Sequence, residues 1–485
     1  MPISKIGSSG GVLGGSVGNS LLGFTCSNWL GRDTIVGVAY GGSVGIWSCE
    51  VDPASETADD VGTRWLQVSH VTGHFGAVKD ITWPPCGSYL MSCSSDQTTR
   101  IWGEIERGRW VEVGRPQVHG YELVQIAAIG AGKELKHRFV SGGDEKVIRA
   151  FDAPADTVRR LTEKTTYVPE EGEDDGVTRE ERAFVPALGL SNKGGDVDRL
   201  KDDEVDLGDP DTEAQGALPG ERDLGITTLW LEVRKLLGHQ GEILSLESNA
   251  GCKGRSESGS PVVVASTCKA RDADTAAIRI WNVDEATCTT VLEGGHKSSV
   301  TSLGFAKDGR RLASSGKDRC VCIWEINIDV VVNSSAPPGA MIAKIENAHK
   351  RIVWCLDWCK VPGKEDYLAT GSRDGTVKIW KVGDVSSPGM VEVQSISFQR
   401  QSVTAIAFAP SGEVIAIGFE SGKIMLMKLE SDFASNQVLT EEIEGGHKST
   451  VKRLRWRPGE REVMTLASCG LDNAVRIFEV FINQM

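Results

Sequence analysis

A recurring histidine-to-aspartate punctuation limits what this chain can fold into. Six of its eight histidines sit in a Gly-His, Ala-His or Val-His step that opens a new segment. The clearest copies read GH…SSD…RIW (His74, Asp96, Trp102), GH…GKD…CIW (His296, Asp318, Trp324) and AH…SRD…KIW (His349, Asp374, Trp380). In each of these the aspartate follows 22 to 25 residues after the histidine, and an aromatic residue then closes an apolar strand. A segment that recurs at this spacing cannot bury its apolar face alone and must stack on its neighbours.

A period of about 40 to 50 residues with this punctuation marks an all-β fold, the WD-repeat β-propeller. Eight units end at the closing position: Trp47, Trp102, Phe151, Trp281, Trp324, Trp380, Met427 and Phe478. Period-two alternation precedes each, as at Val44/Ile46 and Ile415/Ile417, and turn signals such as PCGS (85–88), KDGR (307–310) and PSGE (410–413) separate the strands. Seven blades form the expected ring with one unit left over; an eight-bladed ring is the alternative. Residues 1–18 read as a disordered Gly/Ser-rich start, 19–485 as the propeller, and 154–228 as an acidic, largely disordered insertion within it. Strand order places that insertion between the third and fourth strands of its unit, opposite the histidine turns. Its apolar island, FVPALGLSNK (184–193), docks either on the blade or on a partner.

The recurring residues fit a hydrogen-bond relay. The indole N–H can only donate, a hydroxyl donates and accepts, and a carboxylate accepts. Full sets are His74/Ser92/Asp96/Trp102, His296/Ser314/Asp318/Trp324 and His349/Thr370/Asp374/Trp380. The unit His447/Ser468/Asp472 ends in Phe478 and lacks the indole, His119/Ser141/Asp144 is misspaced, and the first and seventh units lack the histidine. Ser, His and Asp together also compose a hydrolase triad, but a triad occurs once per active site and this set recurs, as a structural role requires. No catalytic residue is expected.

The net charge of −14 argues against a nucleic-acid binder, although much of it is local to Glu170–Asp175 and residues 196–213. Lys448, Lys452, Arg453, Arg455 and Arg457 form a basic cluster, a candidate contact for RNA or an acidic protein against the plainer reading of a solvated edge strand. Lys350 and Arg351 follow another histidine turn. The twelve cysteines read as reduced thiols, and Cys320/Cys322 and Cys355/Cys359 lack the further ligands zinc requires. The glycine-rich GGVLGGSVG (10–18) has no phosphate-loop spacing, so neither metal nor cofactor is expected. No window of 18 apolar residues exists, so no membrane span is expected, and the reading gives no signal peptide.

Several strings are more specific than the repeat demands: residues 73–102, WVEVGRPQVHGYEL (110–123), FVSGGDEKVIRAFDAP (139–154), VPALGLSNK (185–193), LWLEVRKLLGH (229–239), STCKARDADTAAIRIWN (266–282) and LATGSRDGTVKIW (368–380). In sequence and order they resemble the subunit-2 family of the Elongator complex, from about residue 19 onward. The family's proteins carry two propellers in tandem, and this chain resembles the second half. The resemblance implies a non-catalytic scaffold bridging the largest subunit and the catalytic radical-SAM and acetyltransferase subunit. It implies a role in wobble-uridine (U34) modification of transfer RNA, a link to RNA polymerase II elongation, a cytoplasmic and nuclear location, and at most weak or indirect transfer-RNA contact. The competing readings are a generic propeller adaptor, such as a ubiquitin-ligase substrate receptor or trafficking-coat subunit, and an enzyme built in the propeller channel.

Overall fold

A computed structural model describes residues 24–39, 44–51, 63–130, 137–168, 179–185, 192–195, 218–219, 224–252, 262–327, 339–383, 387–399, 401–430, 433–459 and 463–481. Eight antiparallel units follow one another. The first comprises Phe24–Trp29, Thr34–Ala39, Val44–Val51 and Thr63–Val71. Blade one follows with Val78–Thr82, Tyr89–Ser94, Thr98–Glu106 and Arg109–Val118. Blades two to six repeat this up-and-down order, their inner strands being Leu123–Ala128, Ile243–Ser248, Val300–Phe305, Val353–Trp358 and Val403–Phe408. Blade seven has three described strands, Val451–Trp456, Met464–Gly470 and Val475–Val480.

Period-two strand geometry builds the ring. Successive side chains of a strand point to opposite faces, and both faces of a central strand here meet another blade. In blade four, Leu312, Cys322 and Trp324 pack toward blade three, whereas Ala313, Val321 and Ile323 pack toward blade five. In blade six, Ile415, Ile417 and Phe419 face blade five while Val414 and Ala416 face blade seven. This explains why second strands such as VIAIGF (414–419) and YLMSCS (89–94) are buried throughout and show no polar alternation. The Cys322 and Cys355 thiols, pushed up to about 12 by burial, serve as small apolar residues in these seams.

Each of the seven seams between adjacent blades holds its own apolar cluster, and the seventh joins Val78, Ile81, Trp83 and Leu90 of blade one to Ala467 and Cys469 of blade seven. The ring therefore closes with seven blades. Among the described residues, none of the seven clusters includes a residue of the first unit, so the propeller boundary read at residue 19 moves to the start of blade one. The sequence alone could not place it, because that unit carries the same strand pattern as a blade.

The insertion leaves between Val147–Asp152 and Leu231–Leu237, the third and fourth strands of blade two, as strand order required. Where it is described it carries a helix and a short ribbon, and the expectation of a largely disordered loop falls mostly on residues outside the described ones. The helix Ala155–Lys164 carries Asp156 in its first turn and Lys164 in its last, matching the helix dipole, and buries Leu161. Arg182–Phe184 and Lys193–Gly195 pair as a short ribbon. The acidic runs 170–175 and 196–213, the centre of the apolar island (186–191) and the start, 1–18, lie outside the described residues.

Polar groups also bridge the closing seam. Arg453 of blade seven donates to Asp80 of blade one at 2.6 Å, and its other arm donates to Gln125 of blade two at 3.1 Å. Asp80 is almost wholly buried. Removing one partner of such a pair strands the other charge. Asp80→Ala should lower the unfolding free energy by about 3 kcal/mol in urea melts, and Asp80→Leu combined with Arg453→Met should recover most of that loss.

Candidate functional site

In blade one the His74 ring lies 2.7 Å from Asp96 through Nδ1 and 2.7 Å from Ser92 Oγ through Nε2, and the Trp102 indole N–H donates to the same hydroxyl at 2.8 Å. The donor order fixes the tautomer. The indole donates into Ser92 Oγ, so the hydroxyl hydrogen goes to Nε2, and Nδ1 carries the proton donated to Asp96. Blade four repeats this with His296, Ser314, Asp318 and Trp324. Blade five departs from it. His349 Nε2 meets Thr370 at 2.8 Å, which takes the Trp380 indole, but Nδ1 lies 3.7 Å from Asp374 and bonds instead to Thr376 Oγ1 at 2.9 Å. Thr376 in turn donates to Asp374 at 2.5 Å, so the relay passes through an extra hydroxyl.

The aspartate ties two turns together. One oxygen accepts the backbone N–H two residues on, from Thr98, Cys320 or Thr376. The other accepts a backbone N–H of the histidine turn, from Phe75, Lys297, Lys350 or, in blade seven, Lys448. Burial alone would raise the Asp96 carboxyl, but His74, Arg100 and Thr98 outweigh it and hold it well below the usual carboxylate range. His74 itself is lowered by burial against the opposing pull of Asp96, and so stays neutral. The Asp–His–Ser order matches a hydrolase triad, yet Ser92 is fully buried and its oxygen is occupied by the indole. That hydroxyl cannot reach a substrate carbonyl.

Two further relays differ from their sequence reading. In blade two His119 pairs with Glu145 at 3.0 Å, and Asp144 turns outward to Lys269 at 2.8 Å. Glu145, four residues beyond Ser141, occupies the relay position, and the Ser141 hydroxyl is left without a partner. In blade three His239 meets Ser266 at 2.6 Å, which also takes the Trp281 indole. The sequence reading did not count this set because the altered turn 269–276 carries no relay aspartate. The GH step and RIW ending were the signal. In blade seven His447 meets Asp472 at 2.7 Å and Ser468 at 2.8 Å, without an indole.

The basic cluster is largely consumed by the ring. Arg455 reaches Glu247 of blade three at 2.6 Å, and Arg453 is held by Asp80. Arg457 donates to the Gly87 carbonyl and to Glu104, and lies over the rings of Trp83 and Trp110. Lys448 and Lys452 remain exposed.

A second constellation joins stretches far apart in sequence. The outer strand of blade one would present an open edge. Instead, Arg115 N–H donates to Thr228 Oγ1 at 2.6 Å, and Trp230 N–H donates to the Pro116 carbonyl at 2.9 Å. The Asn192 amide donates to the carbonyls of Pro116 at 3.2 Å and Trp230 at 2.8 Å. Trp230 is fully buried, with its ring 5.3 Å from that of Phe139. Beneath this edge Arg100 and Arg115 both donate to Glu112, all three nearly inaccessible to water. Burial would raise Glu112, but the two guanidiniums outweigh it and bring it to about 2. Asn192 at the end of the apolar island thus docks on the chain's own blades. Sequence reasoning singled out the strings containing these residues but not their meeting.

This closed ring with relay-pinned blades defines the chain as a WD-repeat β-propeller protein. The family described as WD domain, G-beta repeat matches residues 65–103, 286–325 and 341–381. Over nearly its whole length the chain is similar to Elongator complex protein 2 of several organisms. It is 33% identical to that of Arabidopsis thaliana over 507 residues, covering 96% of this chain and 57% of the relative. It is 30% identical to that of Danio rerio over 533 residues, covering 97% and 60%, and 30% identical to that of Homo sapiens over 518 residues, covering 96% and 59%. The chain therefore spans about three fifths of the length of these relatives. No helix among the described residues is long and apolar enough to cross a membrane.

Two outcomes follow. Asn192→Ala should cost about 2 kcal/mol in stability and raise amide exchange selectively in residues 224–230. His239 is pushed down to about 4 by burial and by the charge of Arg279, with no relay acid opposing them. A histidine depressed in the fold stabilises fully above its unfolded value near 6.5, and that contribution, up to about 3 kcal/mol, is lost as pH falls from 6.5 toward 4. The His239 ring proton signals should stay at their neutral positions down to pH 5 in an NMR titration.

Proposed function

We propose that this chain is a non-catalytic scaffold propeller of an Elongator complex, bridging the largest and the catalytic subunits in support of wobble-uridine modification of transfer RNA and linked to transcription elongation, in the cytoplasm and nucleus. The observation that carries the reading is similarity to Elongator complex protein 2 across 96–97% of the chain, whereas the generic repeat matches only three stretches. The seam built by Pro116, Asn192, Thr228 and Trp230 supports it, because its residues lie in or beside the strings that carry the resemblance and serve no demand of the repeat itself. The relay hydroxyls of Ser92, Ser314, Thr370 and Ser468 are bound and buried, which fits a role in binding rather than chemistry.

Affinity purification of the tagged 485-residue chain from its native cells tests the proposal. The largest and the catalytic Elongator subunits should co-purify. Recovery of neither by a folded preparation overturns it, and recovery of ligase or coat components instead selects the adaptor reading.

A further inference from the structure

Every inner strand begins with the same irregularity. One residue near its start bulges out of register with the second strand. It is Lys79 in blade one, between Val78 and Asp80, and Lys452 in blade seven, between Val451 and Arg453. Blades two to six carry Val124, Leu244, Thr301, Trp354 and Thr404 there. The inner strands touch one another all round the ring axis, and a bulge re-aims its side chain. The bulged residues therefore form a collar at the histidine-turn end of the channel. Five members are uncharged, and the two lysines are neighbours across the closing seam. Lys452 is exposed and the other members are half-buried.

Among the described residues neither lysine makes a hydrogen bond or ion pair. The acid between them is already taken. Asp80 accepts from Arg453 at 2.6 Å and from the backbone N–H groups of Ile81 and Ile126. Asp144, near Lys79, is held by Lys269, and Glu420 lies on the turn whose carbonyl takes the Thr450 hydroxyl. Burial against the collar lowers the Lys452 amine; Lys79 and Arg453 lower it further, while Cys469 and Asp80 oppose them. The amine thus stands between uncharged walls and two like charges, and its tip still reaches solvent.

We propose that Lys452 is a nucleophilic amine, a site of acylation by small anionic acyl donors, with Lys79 as the anchor for the donor's charge. An ammonium has no lone pair to attack with, whereas a free amine has. Desolvating walls and a second cation are the two devices that keep a lysine amine free near neutral pH. With an acyl phosphate, the Nζ lone pair of Lys452 forms a bond to the carbonyl carbon. The C–O bond to the phosphate group breaks, and phosphate leaves with its electron pair toward Lys79. The nitrogen releases one proton to solvent. The product is an uncharged amide, so the repulsion between the two lysines ends with the reaction.

The test uses the full chain with acetyl phosphate as probe and site-resolved mass spectrometry of the lysines. At pH 8 Lys452 should be acetylated about tenfold faster than Lys350, Lys381 and Lys428, which are exposed outside the collar. Its rate should reach half its maximum below the ordinary lysine value of 10.5. Lys79→Gln removes no hydrogen bond or ion pair among the described residues, so the variant should melt as the parent does. It should slow Lys452 about tenfold and leave the other three lysines unchanged. The neutral donor p-nitrophenyl acetate should favour Lys452 less and lose less in the variant. Acetylation of Lys452 at the rate of the other three overturns the proposal. Equal slowing of both donors by Lys79→Gln supports the nucleophile and overturns the anchor.

Discussion

Ring closure is the constraint on which everything else depends. Each blade buries its two faces only against its neighbours, so an open ring would leave two apolar sheets in water. Closure is made by Val78, Ile81, Trp83 and Leu90 meeting Ala467 and Cys469, and by Arg453 on Asp80 across 373 positions of sequence. The apolar contacts supply the free energy. The ion pair adds direction, because a buried carboxylate tolerates only a seam that brings it a donor. The arginines of the basic cluster are engaged by the ring, Arg453 and Arg457 at this seam and Arg455 on Glu247 of blade three.

The relays act within this frame as fasteners between turns. A tight turn leaves backbone N–H groups unpaired, and one carboxylate satisfies a group in each of two turns while the histidine passes the connection to a buried hydroxyl and an indole. Chemistry is excluded at these positions by burial, since a nucleophile must reach its substrate. The variations obey the same rules. Thr376 supplies the missing hydrogen bond in blade five, Glu145 takes the relay position in blade two, and His239, without an acid, is held neutral by burial and by Arg279.

The insertion shows how a long excursion becomes part of a rigid body. Its ends lie on blade two, but its described parts cover the outer strand of blade one, through Asn192, Thr228 and Trp230, above the Arg100–Glu112–Arg115 cluster. A covered edge is protected from adventitious strand pairing. The seam also locks blades one and two to each other.

Much of this was legible in the sequence, because repetition turns weak local signals into a strong one. The eight closing positions, the relay members of blades one and four, and the exit point of the insertion follow from spacing and strand order alone. The matched repeats 286–325 and 341–381 each join the outer strand of one blade to the first three strands of the next, so the sequence period and the structural blade are out of phase by one strand. Counting repeats therefore cannot state how many blades close, and only the seven seams decide it. Nor does alternation along Arg453, Leu454, Arg455, Trp456 and Arg457 reveal which face is dry, since a strand's period is the same against solvent and against a neighbouring blade. What the sequence by itself determined was the unit, its hydrogen-bonding vocabulary and its resemblance to other propeller chains. What the tertiary structure alone decided was the closure number, the ion-pairing of the arginines and the docking of Asn192 and Trp230 on blade one, because each arises from residues that only the closed ring brings within a few ångströms of one another.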